Sequence, residues 1–102
     1  MSTTEPSSSA INEWDRLWKI IRDVPDDFNC WEQLIRITEE EGGGITKASS
    51  PETIARLETV YDNFLQKFPL CFGYWKKYAD FELAIHGEQG AEKVSYILYF
   101  KT

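Results

Sequence analysis

Two cysteines, one histidine and one methionine are all that this 102-residue chain contains of sulfur and imidazole side chains. Cys30 and Cys71 have no His or second Cys nearby, so a thiolate metal centre lacks its ligands and two free, partly buried thiols are expected. His86 stands alone beside Gly87 and reads as a helix-end or loop residue rather than a catalytic one. Cations are scarce too: 11 Lys and Arg face 17 Asp and Glu, a net charge of −6. A phosphate backbone is held by clustered cations, and the Lys76 and Lys77 pair is too small a cluster, so RNA contact is expected to be indirect at most. No apolar run approaches bilayer length, and residues 1–9 have neither a basic start nor an apolar stretch, so neither a membrane span nor a signal peptide is expected. Gly42, Gly43 and Gly44 open a loop that lacks the G-x-x-x-x-G-K-[ST] spacing of a phosphate-binding loop and follows no strand. With no nucleophile–base pair and no cofactor motif, catalytic, cofactor and metal residues are all expected to be absent, and a soluble intracellular protein is expected.

What the chain does have is apolar and aromatic material, 42% and 15% of its residues, ample for a packed core. Residues 69–82 organise it. Pro69 and a short turn with Gly73 precede Trp75, Tyr78, Ala79 and Glu82, which recur at the spacing of one helix face. Glu82 projects between Trp75 and Tyr78, so an acid sits within an aromatic stripe and needs a partner; Arg56, Tyr61 and Lys93 are the candidates. The same phrase occurs earlier. Pro25, Phe28 and Trp31 match Pro69, Phe72 and Trp75 at a constant offset of 44 residues, and the offset also pairs Leu17 with Tyr61, Ile20 with Phe64, Ile21 with Leu65 and Leu34 with Tyr78. Such self-similarity marks a helical-repeat solenoid.

The elements follow from stripes and stop signals. Trp14, Leu17, Trp18 and Ile21 predict a helix over residues 10–24 behind a tail at residues 1–9, capped near Ser9. Trp31, Leu34, Ile35 and Thr38 predict a second over 28–41, after the Val24-Pro25 stop. Ser50 before Pro51 opens a third over 51–68, and a fourth runs over 73–86 until Gly87. A weaker fifth begins near Glu88 or Ala91. Its continuation, residues 95–100, has no charge and favours β structure, and with no next repeat to cover its apolar residues it is expected to dock imperfectly as a frayed helix and to promote self-association. The fold class is therefore all-α, a right-handed α-α superhelix of about two repeats plus a partial one: tail 1–9, array 10–94, divergent end 95–102.

The run P-x-x-F-x-x-W-x-x-Y-A-x-F-E, preceded by V-Y-D-x-F-L-x-x-F-P, resembles the half-a-tetratricopeptide (HAT) repeat of RNA-processing proteins. In that repeat Trp75, Tyr78 and Glu82 match helix A, while Val60, Tyr61, Asp62 and Pro69 match helix B. The repeat-packing signature is thus Pro25, Phe28, Trp31, Leu34, Tyr61, Phe64, Leu65, Pro69, Phe72, Trp75, Tyr78 and Glu82. There are departures: the Ala-Arg pair that usually opens helix B falls at Leu57 and Glu58, and Thr38 replaces the helix-A Glu. After Val94 the pattern is lost, as in a truncated isoform or an N-terminal piece. The resemblance implies a nuclear, non-catalytic scaffold of pre-mRNA splicing, bound to protein subunits of the small nuclear ribonucleoprotein that recognises the 5′ splice site. It also implies that full-length members dimerise through later repeats. From another class, a tetratricopeptide-like module that captures a short peptide outside splicing fits the same pattern.

Overall fold

The computed structural model describes residues 6–101, with side chains from residue 13 to residue 99. The described residues form five α-helices: α1 (Pro6–Asp23), α2 (Phe28–Glu40), α3 (Pro51–Lys67), α4 (Phe72–His86) and α5 (Glu88–Lys101). A single 3-10 turn, Glu41–Gly43, follows α2. No strand occurs among the described residues. The chain divides after Gly44 into two compact units, α1–α2 and α3–α5.

In the first unit α1 and α2 form a hairpin. Trp14 reaches Thr38, and Cys30 reaches the Leu17 carbonyl, contacts that require antiparallel helices. Leu17, Ile21, Cys30, Trp31, Leu34 and Ile35 are buried, with Trp18 set edge-on to Trp31 at 6.1 Å. Asp27 caps α2 by accepting from the Cys30 N–H. The expected start of α1 near Ser9 is too late. Pro6 opens the helix instead, since its fixed φ and missing N–H suit a first turn. Residues 1–5 of the expected tail lie outside the described residues.

In the second unit Ser50 caps α3 by accepting from the Thr53 N–H, and Pro51 occupies the first turn. Leu57, Val60, Tyr61, Phe64 and Leu65 fill the face that meets α4, where Trp75 and Tyr78 are buried. Tyr61 and Tyr78 stack at 4.9 Å, and Phe64 meets Tyr74 edge-on at the same distance. Gly87, at φ 76, ends α4 by returning its N–H to the Leu83 carbonyl, and α5 starts at the next residue.

The segment after Val94, expected to be a frayed helix despite its β propensity, continues α5. α5 is helical to Lys101. Local β propensity loses here to packing, because Ala91, Val94 and Leu98 fall at helical spacing and Val94 is buried. The inner edge of α5 comes so close to α4 that a methyl group at Gly90 would stand 2.6 Å from the Glu82 carbonyl oxygen. Gly90→Ala, which helix propensity alone would favour by about 1 kcal/mol, is therefore expected to destabilise the chain by about 1–3 kcal/mol. Urea unfolding followed by circular dichroism checks the sign.

Candidate functional site

The two corners that join a B-type helix to an A-type helix are built alike, bond for bond. In the first, the Trp31 indole N–H donates to the Pro25 carbonyl at 2.9 Å; in the second, Trp75 donates to Pro69 at 2.8 Å. Three backbone bonds repeat at the same 44-residue offset. Val24 to Ile20 matches Phe68 to Phe64, Asp27 to Val24 matches Cys71 to Phe68, and Trp31 to Asp27 matches Trp75 to Cys71, while the helix-opening Pro-x-x-Phe phrase recurs around them. Of the signature residues, Trp31, Leu34, Tyr61, Phe64, Leu65, Trp75, Tyr78 and Glu82 are buried. Phe28 and Pro69 are half-buried, and Pro25 is exposed. Phe72, expected among the packing residues, is 56% exposed. It is the first residue of α4 and stands beside the turn, where the chain has no helix face to cover it.

Below the second corner the Tyr78 hydroxyl donates to Asp62 Oδ1 at 2.7 Å. Burial, and then this bond to a carboxylate, push the phenol above its ordinary range. Cys30 is likewise raised, first by burial and then by Asp27, which leaves it a packing residue with little thiolate character.

The offset also exposes a difference. In the first copy Trp14 and Thr38 face each other, and both are satisfied: the Trp14 indole donates to Thr38 Oγ1 at 2.9 Å, and Thr38 donates to the Leu34 carbonyl at 2.6 Å. The same two positions in the second copy hold Glu58 and Glu82. Glu82 is 1% exposed, and its partner is Glu58, not Arg56, Tyr61 or Lys93 as expected. Burial first, then the hydrogen bond to Glu58 and the Glu58 charge, push the Glu82 carboxyl up to about 7; His86 and Lys93 pull the other way through their charges alone. The two carboxyl groups thus meet face to face, and Glu82 Oε2 is left without a hydrogen-bond partner. His86, read as a helix-end residue, joins this cluster. Its Nε2 lies 3.0 Å from Glu58 Oε2, and Glu58, Glu82 and His86 each bring a ligand atom within 4.8 Å of the others. The i, i+4 spacing of Glu82 and His86 was a signal of this arrangement, as was the acid at position 58 where the HAT pattern has an arginine.

The outward face of α5 is a second feature. Glu88, Ala91, Glu92, Ser95, Tyr96 and Tyr99 line a shallow, mostly apolar groove of about 710 Å³, with Tyr96 66% and Tyr99 77% exposed. Its rim is acidic. Ile97, by contrast, lines the inner side of the helix with Leu65, Trp75 and Tyr78. Among the described residues, no helix is long and apolar enough to cross a membrane.

A family model described as the PRP39 N-terminal HAT repeat matches residues 15–97. Pre-mRNA-processing factor 39 of Schizosaccharomyces pombe is 49% identical over 82 residues, which are 80% of this chain and 13% of that protein. The proteins of that name from Homo sapiens, 30% identical over 80% of the chain, and Danio rerio, 40% identical over 69%, are matched over 11% and 8% of their own lengths. The chain therefore spans a small fraction of the curated relatives it matches. No solved structure matches it.

Proposed function

This chain belongs to the PRP39 N-terminal HAT repeat family, and from that premise we propose that it is a non-catalytic helical-repeat scaffold of pre-mRNA splicing. It presents helix surfaces, in the nucleus, to protein subunits of the ribonucleoprotein that recognises the 5′ splice site. The observation that carries this reading is the family match across residues 15–97, which spans both Trp-bearing corners. The described surface supports protein rather than RNA as the partner. Arg16 is engaged by Glu13 at 2.6 Å and Lys76 by Asp80 at 3.0 Å, while the exposed tyrosines of α5 lie among Glu88 and Glu92. Cations paired in this way do not form the patch that a phosphate backbone needs.

Two measurements test it. Short single-stranded RNA at physiological salt is expected to form no tight complex with the purified chain, and a nuclear pull-down is expected to retain protein subunits of a splicing ribonucleoprotein. Tight, salt-sensitive RNA binding overturns the protein-scaffold reading. Recovery of chaperone or trafficking partners alone favours a tetratricopeptide-like peptide-binding module.

A further inference from the structure

We propose that Glu58, Glu82 and His86 form a binding site for a single divalent transition-metal ion, of which Zn²⁺ is the best match. The three side chains come from two packed helices, Glu58 from α3 and Glu82 with His86 from successive turns of α4, and their ligand atoms already lie within 4.8 Å of one another. Ligands of a tetrahedral Zn²⁺ at about 2.0–2.2 Å from the metal stand a little over 3 Å apart, and His86 Nε2 is already 3.0 Å from Glu58 Oε2.

A cluster of acids on a surface would mean little. Here the independent observation is Glu82 itself, 1% exposed, with Oε2 unbonded inside the fold. A buried carboxylate oxygen without a donor costs free energy that a cation would recover. The other copy of the repeat acts as an internal control: at the same two positions Trp14 and Thr38 meet every hydrogen-bonding need with neutral groups, and no ion is called for. The donor set decides the metal class. Two carboxylates and one imidazole suit a borderline ion, whereas Ca²⁺ asks for six to eight oxygens and Mg²⁺ for a near-octahedral oxygen shell. The His86 side chain is 50% exposed, so an ion has a path in and water can complete its coordination.

The test uses the full 102-residue chain, stripped with a chelator and titrated with Zn²⁺ alone, then with Co²⁺ as a spectroscopic substitute. One equivalent of Zn²⁺ is expected to bind and to raise the melting temperature, and Co²⁺ is expected to give ligand-field bands without thiolate charge transfer. His86→Ala, an exposed substitution that leaves the packing in place, is expected to weaken binding by more than about tenfold, the loss that removal of even an outer partner causes. Glu82→Gln is expected to do the same. Absence of Zn²⁺ binding to the wild-type chain overturns the proposal, as does binding that His86→Ala leaves unchanged. Thiolate-to-cobalt charge transfer also overturns it, by moving the ion to Cys30 or Cys71.

Discussion

Trp75→Ala is expected to lower the unfolding free energy by about 3–5 kcal/mol, the range for emptying a large aromatic site in a core. Trp75 is 3% exposed, and its ring does two jobs. It fills the α3–α4 interface, and its N–H holds the carbonyl of Pro69 at 2.8 Å, a carbonyl that would otherwise face the corner unbonded. Trp75→Phe separates them. It keeps most of the packing and is expected to cost about 1–3 kcal/mol for the orphaned carbonyl. Because a repeat array this short is marginal, the alanine variant is expected to be largely unfolded at 37 °C. Urea titrations of the two variants read both values, and an alanine cost near zero would remove Trp75 from the core.

The second large effect is a pH dependence carried by Glu82. In the fold its carboxyl is pushed from 4.5 up to about 7, so the native state binds the proton more tightly than the unfolded chain does. Its contribution is fully present below pH 4.5 and is lost as pH rises through about 7. That difference corresponds to about 3 kcal/mol. The groups facing it are Glu58 from α3, His86 from its own helix and Lys93 from α5. Glu82→Gln keeps the volume and the ability to donate to Glu58 but cannot ionise. With chelator present, the two proteins are expected to be similarly stable at pH 4.5, and the variant more stable by up to about 3 kcal/mol at pH 8. Parallel unfolding curves across that range would show Glu82 to be an ordinary solvated acid.

The corners were legible in the sequence because their bonds are local. Pro25 and Trp31, like Pro69 and Trp75, are six residues apart, and the spacing alone brings the indole over the carbonyl. Burial of Glu82 was legible for the same reason, from its angular place on α4. Its partner was not. Glu58 lies on another helix, 24 residues upstream, and its acid reads on its own helix as a solvent-facing residue. The end of α5 was harder to read, because six uncharged residues in a row carry no helical stripe when taken alone. The stripe appears once Ala91 and Val94 are included and Gly90 is seen to admit α4 at close range.

The short span of the indole clasp has a kinetic consequence. Closing a loop of six residues costs little chain entropy and takes well under a microsecond, whereas the Glu58–His86 contact must wait for a closure of 28 residues. Each corner can therefore nucleate by itself, with its tryptophan reporting on the event. On refolding, the corners are expected to belong to the transition state, so that perturbing Trp31 or Trp75 slows folding more than it speeds unfolding in stopped-flow measurements. On that expectation the two tryptophans govern how fast this chain finds its hairpins as well as the depth of the well that holds them.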